Sequence, residues 1–345
     1  MYNTIIRISK RIDGILLKGL GLMLMLVFVA GISLLSNQGQ ETKIKDDVKV
    51  YNVDYNNCIT KPRLPYQPPK GTLTTDVSIG YIDLVTDSDN IGYGKSGIPI
   101  LTDPEFMDSE MAQKCLPLNA DVYVVIYNNV VKVYPKNILI HHQLINDKFG
   151  NTSIVIVYSP LSDSLTAFTG EDDKFDLSGR VYKGSTLIFD KKTESLWLQL
   201  TGKAIVGNRA GEKLNQVVVQ YTDFEKSLNA FNNAQYLSYN TGYDVNYKSN
   251  PYANFQKSTL PYGTIDTSLY KNNPKQSGII FVYNGKPQFV EIDEQLSEVE
   301  NMDYKISYNS NLDSFEPKTL KSDMIPYTTG YYYSFKEVYE NIELF

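Results

Sequence analysis

The sequence is short of the residue types from which most reactive sites are built. Its 345 residues include 2 cysteines, 2 histidines and 1 tryptophan. Two cysteines, Cys58 and Cys115, exclude a cysteine-rich zinc framework and a disulfide-dense miniprotein. The histidines are the neighbours His141 and His142, and adjacent residues on a strand point to opposite faces, so a strand there gives no chelating pair. There is no G-x-S-x-G nucleophile elbow and no EF-hand loop; the acidic run at 171–173 reads as a solvated turn. A basic stripe is missing too. Net charge is −6, and the first 36 residues carry +3 from Arg7, Lys10, Arg11 and Lys18 against Asp13, which leaves −9 for the rest. That balance argues against a nucleic-acid partner. No cofactor is expected, and a metal at His142 would need carboxylates brought from far along the chain.

What is abundant is tyrosine, 27 against 14 phenylalanines, in a chain that is 42% apolar and 21% charged. The bulk numbers describe a folded body, and tyrosine suits half-buried strands with a wet edge. Residues Gly19 to Ser36 form 18 residues without a charge, about 27 Å as a helix and enough to cross a bilayer core. The basic cluster before this run orients it N-in. We therefore expect a cytoplasmic segment over 1–14, a transmembrane signal anchor over 15–36, a polar and proline-rich tether over 37–76, and an exported domain over 77–345. A small-x-small site at Gly31 and Ser33 keeps the alternative of a cleaved, secreted form, and the absence of a cysteine after the run excludes a lipoprotein. The membrane is then the first partner, with membrane or cell-surface proteins beyond it. In an oxidising compartment Cys58 and Cys115 form one bridge, adding roughly 4 kcal/mol by loop entropy, or else stay as two thiols.

The body reads as α+β and β-rich, with antiparallel hairpins and a few short helices. Asp103-Pro104 opens a helical stretch towards Cys115; strands at 121–127 and 130–134 flank an Asn-Asn turn; Pro135 opens a helical turn through Leu139. Further strands are expected at 165–168, 186–189, 195–200, 204–206 and 214–221. Capping boxes at Thr222-x-x-Glu225 and Ser334-x-x-Glu337 each announce a helix. A hairpin at 279–283 with Asn284-Gly285 echoes the first, Val125-Ile-Tyr127-Asn-Asn129 against Phe281-Val-Tyr283-Asn-Gly285. Internal duplication and independent use of a favoured turn both explain that echo.

The chemistry is argued from His142 to Ser164. The strand Ser153–Tyr158 folds back over the turn 146–151, so paired residue numbers sum to roughly 300. That places His142 beside Tyr158 and the turn Ser159-Pro-Leu-Ser162. His142, Tyr158, Ser159 and Ser162 are the candidate catalytic residues. A triad with Asp147 fails, since Asp147 lies five strand residues away, roughly 16 Å. Trp197 and Gln199 are pocket candidates, with the core as the alternative for Trp197. Asn151-Thr-Ser153 is a glycosylation sequon at the hairpin turn.

Several stretches in order carry a family resemblance. They are 97–106, Val133-Tyr-Pro135, 142–147, 190–197 with Gln199-Leu-Thr-Gly202, Thr241-Gly-Tyr243, Asn250-Pro-Tyr252 and 331–335. On these the chain from about Gly97 to Phe345 resembles the domain-of-unknown-function family 3179. The resemblance implies an exported or membrane-linked domain and no established reaction. It also implies a Cys-Pro-Leu-Cys turn after the tyrosine at Tyr158, where this chain has Ser159 and Ser162, and a glutamate where it has Gln143. With cysteines such a turn is a soft-metal or thiol-redox site; serines support neither. The expectation is a membrane-anchored extracytoplasmic binding or structural module, non-catalytic, with a subunit of a membrane complex as one form of it. The alternative is a metal- or redox-dependent enzyme with a modified site around His142 and the 159–162 turn.

Overall fold

The computed structural model describes residues 53–68, 97–170, 174–263, 265–270, 273–292, 296, 298–339 and 342–344. The expected anchor over 15–36 and the acidic run 171–173 lie outside them. Among the described residues no helix is long and apolar enough to cross a membrane.

Five mainly antiparallel sheets and a few short helices make up the body. Sheet 1 runs Val219–Asp223, Asp121–Tyr127, Val130–Pro135, Gln235–Leu237, Phe106–Met107. Sheet 2 runs Leu101–Thr102, Leu144–Phe149, Thr152–Ser159, Ser164–Thr169, Asn215–Val217. Sheet 3 runs Lys203–Val206, Leu196–Leu198, Ser185–Asp190, Phe175–Tyr182. Sheet 4 runs Tyr327–Tyr331, Ser277–Tyr283, Lys286–Glu291, Glu343–Leu344, and sheet 5 is the meander Glu298–Glu300, Tyr304–Asn309, Ser314–Thr319.

Packing links these sheets into a propeller-like ring. Ile154, Ile156 and Leu165 of sheet 2 share a core with Tyr123 and Tyr134 of sheet 1. The opposite face of sheet 2, with Val155, Val157 and Phe168, packs on Leu177, Ile188 and Trp197 of sheet 3. The alternation follows from the two-residue period of a strand, and both faces of sheet 2 are buried, so its central strand is an almost unbroken apolar run. Leu200 after sheet 3 meets Ile280 and Phe289 of sheet 4, whose Ile279 and Phe281 in turn pack on Tyr304 and Ile306 of sheet 5. Sheet 5 returns to sheet 1 through hydrogen bonds from Gln220 to Glu316 and from Thr222 Oγ1 to Leu312 O.

Four of the five strands of sheet 1 recur in sheet 4 with the same connectivity and register. Each sheet begins as a hairpin whose two turn residues have positive φ, Asn128 and Asn129 in one, Asn284 and Gly285 in the other. Such turns match the twist of the flanking strands and favour Asn and Gly. A three-stranded meander follows: 144–169 in sheet 2, and sheet 5 itself. A third strand then pairs antiparallel to the hairpin's first strand and enters a seven-residue helix directly, Phe224–Ala230 or Tyr332–Val338. A last short strand runs parallel to the hairpin's second strand, Gln235 opposite Lys132 in one unit and Glu343 opposite Gln288 in the other. Both members of that second pair lie at the matching positions, 108 and 156 residues on. Among the described residues, sheet 3 has no counterpart in the second unit.

Residues 53–68 of the expected tether lie along the body. Cys58 and Cys115 are bonded, with Cα atoms 5.9 Å apart, and Tyr55 stacks on Tyr239 at 5.2 Å. Several expectations are corrected. Asp103 does not cap a helix: it has φ 48°, and Asp108 caps the helix Ser109–Cys115 by accepting from Met111 N. The single strand expected over 214–221 divides at Val218 between sheets 2 and 1. Thr222 does not cap the helix after it because its hydroxyl bonds Leu312 O; Asp223 caps instead, accepting from Lys226 N. Ser334 is buried inside its helix rather than before it. The helix after Pro135 runs on to His142, and Gln143 closes it in the left-handed region at φ 56°.

Candidate functional site

The hairpin register matches the arithmetic: Leu144 pairs with Val157 and Asp147 with Ile154. The ring hydrogen bonds of His142 nevertheless go to other groups than the serines. His142 ends a helix, and its fully buried ring bonds Pro99 O through Nδ1 and Tyr247 Oη through Nε2, both at 2.7 Å. A carbonyl only accepts, so Nδ1 carries the proton and Nε2 accepts from the tyrosine hydroxyl, which also meets Thr241 Oγ1 at 2.6 Å. Burial lowers the imidazole pKa to about 4, so the ring is neutral near pH 7. Both nitrogens are occupied. His141 bonds Ser249 O at 2.9 Å.

The serines are held just as firmly. Ser159 Oγ accepts from Thr186 Oγ1 at 3.0 Å, and Ser162 Oγ lies 2.7 Å from Ser164 Oγ. Gln199 Nε2 reaches Ser164 Oγ and Thr166 Oγ1 from behind the turn. Trp197 is fully buried, its Nε1 donating to Asp190 Oδ2 at 3.0 Å. Asn151 is exposed at the hairpin turn. Among the described residues no three His, Cys, Asp or Glu side chains gather as a metal cluster.

The turn does border an open site, through the residue after it. Asp163 has φ 47°, a conformation aspartate tolerates, and closes the four-residue loop between the paired Ser159 and Ser164. Its carboxylate accepts from Tyr158 Oη at 2.7 Å and faces Lys136 Nζ at 2.8 Å. The same motif recurs 150 residues later. Asp313 has φ 50°, closes the loop between the paired Asn309 and Ser314, accepts from Tyr308 Oη, and faces Lys226 Nζ at 3.0 Å. The sequences are Tyr158-Ser-Pro-Leu-Ser-Asp163-Ser and Tyr308-Asn-Ser-Asn-Leu-Asp313-Ser.

Both aspartates line one cavity of about 550 Å³, with Tyr123 and Tyr221 of sheet 1, Tyr327 of sheet 4 and Tyr308 of sheet 5. Matching strands of the two units line it, Asp121–Tyr127 and Val219–Asp223 from one, Ser277–Tyr283 and Tyr327–Tyr331 from the other. Burial, helped by nearby aspartates, holds the Tyr123 and Tyr221 hydroxyls well above the ordinary phenol pKa, so they stay protonated. Asp313 is held below the usual carboxylate value by the Tyr308 hydroxyl and Lys226. Two buried hydroxyls in the wall, Tyr327 Oη and its neighbour Ser314 Oγ, have no partner in hydrogen-bonding geometry.

The structure thus brings Tyr158 and the serine turn to this cavity's edge, sends His142 to a separate cluster, and buries Trp197 and Gln199. Reading from sequence missed Asp163, Asp313 and the four wall tyrosines. The signal was present as the repeated Tyr-x4-Asp-Ser spacing. No curated protein and no solved structure matches the chain. A family model described as a protein of unknown function (DUF3179) matches residues 95–322, more than half of the sequence, and ends before the Tyr327–Tyr331 strand. The chain belongs to that family.

Proposed function

We propose that this is a membrane-anchored, extracytoplasmic binding module whose ligand occupies the tyrosine-lined cavity, and that it carries no catalytic group there. The observation that carries the reading is the contrast in hydrogen bonding: the cavity wall keeps two neighbouring buried hydroxyls, Tyr327 and Ser314, with only each other to face and no well-aligned partner, whereas His142, Ser159 and Ser162 all have theirs. Buried polar groups without partners are rare and cost stability, so a site that retains them fits a ligand or ordered water. The volume lies inside the range of small-molecule pockets, roughly 300–1,000 Å³. The uncharged run over 19–36 supports the anchor, and the basic cluster before it the outward placement. The matching register of sheets 1 and 4 and the repeated Tyr-x4-Asp turns support an internal duplication, with the cavity between the copies. An enzyme built on His142 would need a free ring nitrogen, and no observation favours that alternative.

The test uses the full chain in detergent micelles, equilibrated with a small-molecule extract of its source cells. Compounds retained by the wild type and lost with Tyr327→Phe would support the reading. An empty eluate, or retention unchanged in that variant, would overturn it.

A further inference from the structure

We infer that the cavity takes a neutral polyhydroxylated ligand, a sugar residue or short oligosaccharide, held between the Asp163 and Asp313 turns. The inference rests on the binding-module reading and gives it a ligand class. Charge decides first. Asp163 already faces Lys136 at 2.8 Å and Asp313 faces Lys226 at 3.0 Å. A cationic ligand would compete with two seated lysines, and an anionic one would meet two carboxylates; an uncharged ligand meets neither obstacle. The carboxylates still have lone pairs to offer, and each accepts several hydrogen bonds. Hydroxyl groups are the neutral donors that match them.

The walls point the same way. Phenol rings offer an apolar face to C–H surfaces and a polar edge to hydroxyls, the two kinds of surface a sugar ring presents. Tyr308, 46% exposed, packs at 5.2 Å against Phe315 with the two rings tilted by 52°, and both rings line the cavity. Deeper in, Tyr327 Oη and Ser314 Oγ lie beside each other without a well-aligned partner. A ligand hydroxyl both donates and accepts, so one can bridge the two, whereas an apolar ligand would add no hydrogen bond to either.

Titration calorimetry of the full chain in micelles with methyl glucoside, methyl galactoside, methyl N-acetylglucosaminide, maltose and cellobiose, beside choline and citrate, tests the inference. We expect saturable binding of at least one sugar, weakened tenfold or more by Tyr327→Phe and by Asp313→Asn, with no binding of choline or citrate. Asp313 is half exposed, so the asparagine variant keeps its fold. Absence of binding by every sugar overturns the ligand class. If the extract experiment still retains compounds that Tyr327→Phe releases, the class alone has failed and the binding module stands; if it retains nothing, both have.

Discussion

The two Tyr-x4-Asp turns are alike in register and in dihedral angle but are packed by different means. The third strand of each unit reaches across to the other unit's turn. In the second unit the contact is made by Gly330, where an added Cβ would lie 2.5 Å from Ser162 O. Strand and turn backbones touch directly, with Tyr331 N donating to Ser162 O and Tyr333 Oη to Leu161 O. The matching position in the first unit is Thr222, which spans the gap with its hydroxyl to Leu312 O. A glycine therefore closes the first turn tightly, and a threonine holds the second one side chain further off. The outcome is a fully buried Tyr158 against a half-exposed Tyr308. Where backbone packs on backbone the turn becomes a structural clamp; where a side chain intervenes, room is left for a cavity mouth.

That asymmetry should appear first in stability. Asp163→Ala leaves the buried Tyr158 hydroxyl and the partly buried Lys136 without their acceptor, and we expect a loss of about 3 kcal/mol. Asp313→Ala removes an exposed pair and should cost less than about 1 kcal/mol. Urea unfolding of both variants decides, and equal losses would break the comparison.

The second difference is in pH response, because both histidines lie in the first unit. Folded His142 has its pKa lowered to about 4 by burial, against about 6.5 in the unfolded chain. Between those values the unfolded chain binds a proton that the folded one does not, so stability rises with pH and is lost on acidification from 6.5 towards 4. Linkage sets the loss at roughly 3 kcal/mol. His142→Gln should be less stable at pH 7 and should lack this part of the acid limb; an unchanged limb would show that the imidazole titrates freely in the fold.

The contact residues themselves come next. Gly330→Ala must push one backbone off another and should cost about 2 kcal/mol, whereas Thr222→Ala loses one buried hydrogen bond, about 1 kcal/mol. Thermal unfolding of the pair would sharpen the contrast, and the reverse order would refute it.

Local chemistry made part of this legible. The 144–159 hairpin and both Asn turns follow from β-branched runs and positive-φ residues, which act within a few positions. Helix boundaries failed where tertiary contacts claimed the capping side chain, as Leu312 claims Thr222. The meander 298–319 went unread because its charges and Pro317 look like loop, although Glu316 is buried and pairs with Lys318. Asp147 reads as part of the turn 146–151, whereas the strand runs on to Phe149, and Lys132 draws no reading of its own. In fact they are buried at 2.8 Å from each other, with Tyr134 Oη on the carboxylate, which joins sheets 1 and 2. Buried pairs of this kind are fixed by pairings far apart in sequence, and no window of residues announces them. The cavity belongs to the same class, since its walls come from four sheets.

The smallest effect on stability is the one that bears most on the cavity. Tyr327 is 1% exposed, and its ring packs with Ile279, Phe281 and Ile306, so a phenylalanine keeps the apolar contacts and removes only the hydroxyl. Because that hydroxyl has no partner in hydrogen-bonding geometry, its removal should leave stability within about 0.5 kcal/mol or raise it slightly. Tyr134 is the control. Equally buried, its hydroxyl serves Asp147 at 2.6 Å, and Tyr134→Phe should cost about 1–2 kcal/mol. A comparable loss at both positions in chemical denaturation would mean that Tyr327 has a structural partner in solution. The orphaned wall, and the ligand inferred from it, would then lose their basis. A loss at Tyr134 alone would leave one of the two hydroxyls without a role in folding and available to a ligand.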